Sequence, residues 1–115
     1  MTIISTKATN IELTEAIKNY LEEKLVRVGK MTVDYDPVAK MAVEVGKSTE
    51  HHHKGPFFFC ELTLEIPGDK LLLARDEKED LYAAIDAAED QLRRQLVERK
   101  ERMVESHRHA RPDKE

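Results

Sequence analysis

The spacing of hydrophobic residues predicts a strand and then a helix at the start of the chain. Residues Thr2 to Lys7 alternate in character and are rich in β-branched types, as is typical of a strand. After a turn at Thr9-Asn10, apolar residues recur every three or four positions and so share one helical face. This apolar stripe consists of Ile17, Leu21, Leu25 and Val28. Thr14 suits an N-cap and Gly29 a C-cap, so the helix is predicted between them.

Three further strands are predicted in the middle of the chain. Hydrophobic and polar residues alternate in Val38 to Gly46 and in Phe57 to Ile66, so each segment has one apolar face. The turn Pro67-Gly68-Asp69 predicts that the next strand, Lys70 to Arg75, runs antiparallel to the one before it. The opposite face of this sheet is expected to contact water. It carries Lys40, Glu44, Glu61, Thr63 and Glu65.

A long helix is predicted to begin near Asp76 or Glu77 and to end near Ser106. Its apolar stripe consists of Leu81, Ile85, Ala88, Leu92 and Leu96, and Met103 extends it. At about 1.5 Å per residue this helix is about 45 Å long, longer than the sheet it covers, so its last turns should project. The tail that follows has little to bury and is expected to be disordered.

The predicted element order is β-α-β-β-β-α, which places the chain in the α+β class. Each strand has one apolar face, so a four-stranded sheet with both helices on one face is the economical packing. A chain of 115 residues suits one domain, and no internal repeat is present. We therefore expect a single two-layer domain over residues 1–106 and a tail over 107–115.

Charge is distributed unevenly along the chain. The net charge is −4 and 37% of residues are charged. Asp76 to Asp90 contains seven acids and one base, whereas Gln91 to Glu115 contains eight bases and five acids. This gradient complements a helix dipole. It also fits a phosphate-binding surface formed by Arg93, Arg94, Arg99, Lys100 and Arg102, and the two interpretations are compatible.

The sequence gives almost no support for catalysis. No Ser-His-Asp, Cys-His or paired-carboxylate arrangement stands out, and the four glycines are dispersed among turns instead of forming a phosphate-binding loop. Cys60 falls on the apolar face of a strand, which favours a core residue over a nucleophile. We therefore predict no enzyme, no cofactor and no small-molecule substrate.

The histidine run His51-His52-His53 suggests a zinc site with Cys60, His107 or His109. Consecutive histidines cannot all converge on one ion, so no specific metal site is predicted. A second possibility is that His52, His53 and Lys54 contact phosphates or bases, and a plain solvated loop is a third. A lone cysteine fits a reducing compartment. Without a membrane-length apolar run or a signal peptide, we expect a cytoplasmic protein.

Several segments resemble the ribosome hibernation promoting factors, also known as ribosome-associated inhibitors or sigma-54 modulation proteins. Glu79 to Asp86, EDLYAAID, resembles the family signature, and Gln91 to Leu96 resembles its basic continuation. Ile11 to Ile17 resembles the strand-to-helix junction, Lys24-Leu25 and Lys30 match later basic positions, and Thr49 to Gly55 resembles a histidine-rich hairpin loop. The resemblance covers Thr2 to Lys100. It is to the short form, without the C-terminal dimerisation domain of longer members.

This resemblance implies a fold similar to a double-stranded-RNA-binding domain. It also implies binding to the small ribosomal subunit in the channel used by mRNA and tRNA anticodon ends, which silences idle ribosomes by steric occlusion. Charge and shape would then recognise an rRNA groove. The rRNA-binding residues implied by position are Lys24, Arg27, Lys30, Arg75, Lys78, Arg93, Arg94 and Lys100, with His52 and Lys54 as further candidates. No membrane partner is expected, and off the ribosome we expect a monomer.

A protein-interaction or regulatory module without direct rRNA binding is the alternative. The acidic net charge permits it, and the family's sigma-54 name suggests it.

Overall fold

The computed structural model describes residues 1–33, 38–48, 57–69 and 71–110, with side chains as far as residue 106, and contains the six predicted elements in order. They are β1 (Thr2–Thr9), α1 (Glu15–Thr32), β2 (Lys40–Ser48), β3 (Phe57–Glu65), β4 (Leu72–Lys78) and α2 (Leu81–Ala110). The strands form one sheet in the order β1-β2-β3-β4. β1 pairs with β2 in parallel, and the other two pairs are antiparallel. The predicted α+β architecture is confirmed.

The core lies between the two helices and one face of the sheet. Every second residue of β2 and β3 is buried there, as period-two alternation requires. Met41, Leu62 and Ile85 are all 0% exposed and belong to the same cluster as the apolar stripe of α1. The small side chains of Ala84 and Ala88, also 0% exposed, let α2 approach the sheet closely. The other face of the sheet carries the predicted polar residues.

The predicted start of the last helix at Asp76 or Glu77 is wrong. Asp76 and Glu77 continue β4, where they pair with Cys60 and Phe59 of β3. This pairing outweighs the local preference of acids for a helix start, and the Glu77 N–H donates to the Asp76 carboxylate at 2.8 Å. The helix begins at Leu81, because the Asp80 side chain accepts a hydrogen bond from the Ala83 backbone N–H at 3.1 Å.

The predicted helix ends were also too early. α1 continues through Gly29 to Thr32, which is buried and donates its hydroxyl to the Gly29 carbonyl oxygen at 3.0 Å. Gly29 is therefore an interior helical residue and not the C-cap. Thr14 is confirmed as the N-cap, because its hydroxyl accepts from the Ile17 N–H at 3.2 Å. α2 continues to Ala110, beyond the expected end near Ser106.

The last turns of α2 project from the body of the domain, as its length predicts. All residues from Glu101 to Ser106 are exposed, including Met103 at 38%. Met103 continues the line of the apolar stripe along the helix, but it is not buried, so the predicted extension of the packed face is wrong. Arg99 marks the end of the packed part, since its Nε lies 2.7 Å from Asp69 in the β3–β4 turn.

The outer edge of β4 is covered by side chains of α2. Gln91 donates to the Arg75 carbonyl oxygen at 3.0 Å and accepts from the Arg75 N–H at 3.3 Å. Gln95, one turn later, donates to the Leu73 carbonyl oxygen at 2.9 Å. These amides replace hydrogen bonds that a fifth strand would make, so this edge is closed to strand pairing with another chain.

Cys60 is expected to be chemically inert in the folded protein. It is 0% exposed, and burial raises the pKa of its thiol to about 12, so the reactive thiolate is scarce at neutral pH. We expect a disulfide reagent such as DTNB to label it only after unfolding in urea. Rapid labelling of the native protein at pH 7.5 would contradict its placement in the core.

Candidate nucleic-acid interface

The two helices are joined on their outer surface by a cluster around Asp86. The Tyr20 hydroxyl donates to Asp86 Oδ1 at 2.6 Å, and Lys24 Nζ lies 3.2 Å from the same oxygen. The Tyr20 and Tyr82 rings meet edge to face with centroids 4.8 Å apart. We call Tyr20, Lys24, Tyr82 and Asp86 the interhelix cluster. It fixes α1 against α2 and so sets the relative positions of the bases that each helix carries.

The interhelix cluster explains part of the signature segment. From its position beside the apolar stripe of α2, Tyr82 could cover the edge of the core or stack on a base. Its contact with Tyr20 supports packing at the core edge. The hydrogen bond to Asp86, followed by burial, raises the pKa of Tyr20 to about 12. The hydroxyl therefore remains a protonated donor at neutral pH. Within the family signature, Tyr82 and Asp86 therefore have a structural role, because they join α1 to α2.

We expect Tyr20→Phe to lower the free energy of unfolding by about 1 kcal/mol, because it removes a hydrogen bond to a charged acceptor at a partly exposed site. The matched control is Tyr82→Phe, which keeps the ring and removes a hydroxyl with no hydrogen bond to the described residues. Urea denaturation at pH 7 measures both. Equal losses in the two variants would contradict the role of the Tyr20 hydroxyl.

Alkaline pH should remove the stabilisation that the Tyr20–Asp86 hydrogen bond provides. The folded state binds the Tyr20 proton more tightly than the unfolded chain does, so the contribution is present below about pH 10 and lost as pH rises towards 12. Denaturation curves between pH 9 and 12 should therefore converge for the wild type and Tyr20→Phe. A constant difference over that range would assign the stability loss to packing.

The predicted bases of α1 lie in a row across its outer surface. Lys24, at the α2 flank, is followed one turn later by Arg27 and then by Lys30, each three residues further on. Lys24 is held by Asp86, whereas Arg27 and Lys30 are exposed. Within the described ranges, neither Arg27 nor Lys30 lies within ion-pair distance of a carboxylate. Their charges face solvent.

The predicted bases of α2 are held by acids of the same helix. Arg93 Nε lies 2.8 Å from Glu89 Oε2, and Arg93 Nη2 lies 3.3 Å from Asp90 Oδ1. The second Asp90 oxygen lies 3.0 Å from Arg94 Nη2. The Arg93 side chain is 31% exposed and that of Arg94 is 70% exposed. Sequence reasoning missed Glu89 and Asp90, although their spacing of four from the two arginines could have identified them.

Together these residues form what we call the basic helical surface. Arg93 and Lys100 follow Asp86 by seven and fourteen residues, so they lie on the flank of α2 on which Asp86 contacts α1. Arg94 lies on the outer side of the helix. The members of the surface are Lys24, Arg27, Lys30, Arg93, Arg94 and Lys100.

The structure does not bring Arg75 to this surface. It projects from the opposite face of the sheet, where its guanidinium lies 4.3 Å from the centroid of the Phe59 ring. It also forms ion pairs with Glu61 at 3.0 Å and Glu77 at 3.2 Å. Phe59 in turn covers Gly46, where a Cβ would lie 2.9 Å from the ring. These contacts give Arg75 a structural role on the sheet.

Two other predicted bases have distinct surroundings. Lys78 is exposed at the end of β4, opposite Phe58 in the register and so on the same face of the sheet as Phe58. Arg99 is only 12% exposed and bound to Asp69, so it anchors α2 to the β3–β4 turn.

The remaining predicted residues lie mostly outside the described part of the chain. His52 and Lys54 are among them, as is the rest of the histidine run. The side chains of His107 and His109 also lie outside the described part. Among the described residues, no group of three His, Cys, Asp or Glu side chains is arranged to hold a metal ion.

No helix in the described ranges is long and apolar enough to cross a membrane.

The chain matches the family described as sigma 54 modulation protein / S30EA ribosomal protein over residues 4–104. It is 32% identical over 114 residues to the ribosome hibernation promotion factor of Deinococcus radiodurans, covering 98% of this chain and 56% of that protein. It is 35% identical over 99 residues to the ribosome hibernation promoting factor of Pseudomonas putida, covering 86% of this chain and 87% of that protein. The chain thus spans about half of one relative and most of the other.

Solved structures share the fold. The Protein Y N-terminal domain of Thermus thermophilus superposes with a TM-score of 0.63 at 31% identity, covering 84% of this chain and 96% of that one. A ribosomal subunit interface protein from Coxiella burnetii superposes with a TM-score of 0.66 at 18% identity, covering 87% and 98%. The second likeness concerns the fold alone.

Proposed function

This chain belongs to the sigma 54 modulation protein / S30EA ribosomal protein family, and we propose that it is a hibernation factor that binds the small ribosomal subunit. It would occupy the channel used by mRNA and the tRNA anticodon ends, and so silence idle ribosomes by steric occlusion. The family consists of ribosome-binding proteins without enzymatic activity, so the chain is not an enzyme.

The observation that supports this proposal most is the basic helical surface. Its bases come from both helices, and the interhelix cluster holds the two helices in fixed relation. A rigid set of cations can match phosphates of a folded RNA without reordering, which reduces the entropic cost of binding. The net charge of −4 does not oppose this, because binding depends on the local charge of the basic helical surface and not on the average over the chain.

We assign the rRNA contacts to the basic helical surface, with Lys78 as a contact at the neighbouring end of the sheet. Arg75 is left out of this assignment because it faces the other side of the sheet and is engaged by Glu61 and Glu77. His52 and Lys54 stay sequence-based predictions. The protein would be a monomer off the ribosome and act in the cytoplasm.

Co-sedimentation with purified small subunits tests the proposal. Binding at low salt that weakens steeply with salt, and that competes with mRNA and initiator tRNA, is the expected result. Binding that is insensitive to mRNA and tRNA would overturn the site in the channel. Absence of binding at low salt would overturn ribosome association.

A second candidate function is a protein-interaction module without direct rRNA contact. The observation that favours it is the acid-rich open face of the sheet, formed by side chains of β2, β3 and β4. This face carries Glu44, Glu61, Glu65 and Glu77 beside Lys40 and Arg75. Ribosome binding that is unaffected when the basic helical surface is neutralised would favour this function.

A further inference from the structure

Glu89 is out of place in the buried stripe of α2. It lies four residues after Ile85 and three before Leu92, so it projects towards the core, and it is 1% exposed. Thr32 and Glu89 are the buried polar or charged residues within the described ranges, and of the two Glu89 alone is ionisable. An aliphatic side chain would be the ordinary choice at such a position.

Stability gives no reason for a carboxylate there. Burial removes water from the charge, and a single ion pair seldom repays that loss against a well-packed aliphatic residue. The Glu89 carboxylate has one ion-pair partner within the described chain, Arg93 on the next turn. We therefore look for a function of the Glu89–Arg93 pair other than stabilising the core.

The geometry of the pair restricts Arg93. Glu89 accepts from Nε at 2.8 Å and Asp90 accepts from Nη2 at 3.3 Å, so two of the five guanidinium N–H groups are engaged. The remaining donors belong to a guanidinium whose plane is held by two acids and whose side chain is 31% exposed. A fixed arginine fork suits bidentate binding of a phosphate.

We propose that Glu89 is a positioning residue that orients Arg93 towards a phosphodiester of folded RNA. This inference rests on the proposed function and deepens it, because it names a buried acid as part of an anion-binding surface. Glu89 does not touch the RNA; it acts through Arg93. Asp90 contributes on the exposed side by holding both Arg93 and Arg94.

The direction in which Glu89→Leu changes the affinity for RNA distinguishes a positioning role from an effect of net charge. Glu89→Leu removes a negative charge, so net charge alone predicts tighter binding to RNA. If Glu89 orients Arg93, affinity for the small subunit should instead fall by about tenfold, the scale of one charge-assisted contact. Thermal stability should be unchanged or higher, because an aliphatic side chain fills the site.

Two variants serve as controls. Glu98→Leu removes the same charge from an exposed position of α2 and should leave affinity unchanged or raise it. In an Arg93→Gln background, which keeps a hydrogen-bond donor for the buried Glu89 where alanine would leave it unpaired, Glu89→Leu should cause no further loss. Tighter binding of Glu89→Leu, or an equal loss in both backgrounds, would overturn the inference.

A measurement without ribosomes tests the positioning directly. The NMR signal of the Arg93 Nε–H should exchange slowly with water in the wild type and rapidly in Glu89→Leu, with Arg27 as a solvent-facing reference. Fast exchange in the wild type would overturn the positioning role. If the wild type does not bind small subunits, the proposed function is wrong. The exchange rate of the Arg93 Nε–H still shows, in that case, whether Glu89 orients Arg93.

Discussion

Replacing Ile85 with aspartate is expected to unfold the domain. Ile85 is 0% exposed, between α2 and the sheet, and belongs to the central hydrophobic cluster. The substitution removes an aliphatic side chain and buries a carboxylate without a partner, and together these cost about 5 kcal/mol or more. Such a loss approaches the whole stability of an ordinary domain, which is about 5–15 kcal/mol.

Circular dichroism melting curves measure this effect. The matched control is Val97→Asp on the same helix, where a branched aliphatic residue that is 45% exposed receives the same carboxylate. We expect the control to melt close to the wild type, because its charge stays in water. A cooperative wild-type melt of Ile85→Asp would show that this face of α2 does not form the core.

Neutralising Arg93 and Arg94 is expected to lower ribosome affinity on the order of a hundredfold, because two charge-assisted phosphate contacts are lost. The dependence of log affinity on log salt should become shallower by about two. Glutamine is the informative substituent. Glutamate at position 93 would face the buried Glu89 and destabilise the fold as well.

The control for this double variant is Lys7→Gln with Lys40→Gln. Both lysines are exposed and project from the open face of the sheet, so the net charge changes equally while the basic helical surface stays intact. Sedimentation at several salt concentrations compares the two variants. Equal losses of affinity would show that overall charge, and not this surface, governs binding.

Local periodicity was sufficient to predict the elements and their packing faces. Alternation in β3 and the stripe of α2 correctly place Leu62 and Ile85 in the core, because side-chain direction repeats every 2 residues in a strand and every 3.6 in a helix. The same stripe wrongly included the exposed Met103 and left out the buried Glu89. Element ends were harder. Asp76 and Glu77 look like a helix start, and only their pairing with β3, sixteen to eighteen positions earlier in the chain, makes them a strand.

For the candidate site too, the sequence predicted one part and only the tertiary structure decided the other. The sequence determined which residues are basic and, through the periodicity of α1 and α2, that Lys24 and Arg93 lie off the apolar stripes. The tertiary structure decided which bases share a surface: Asp86 bonds Tyr20 across sixty-six positions, and Arg75 lies against Phe59 on the opposite face of the sheet. A residue's charge is a property of its own side chain, but its neighbours depend on how distant segments pack, and no local pattern records that.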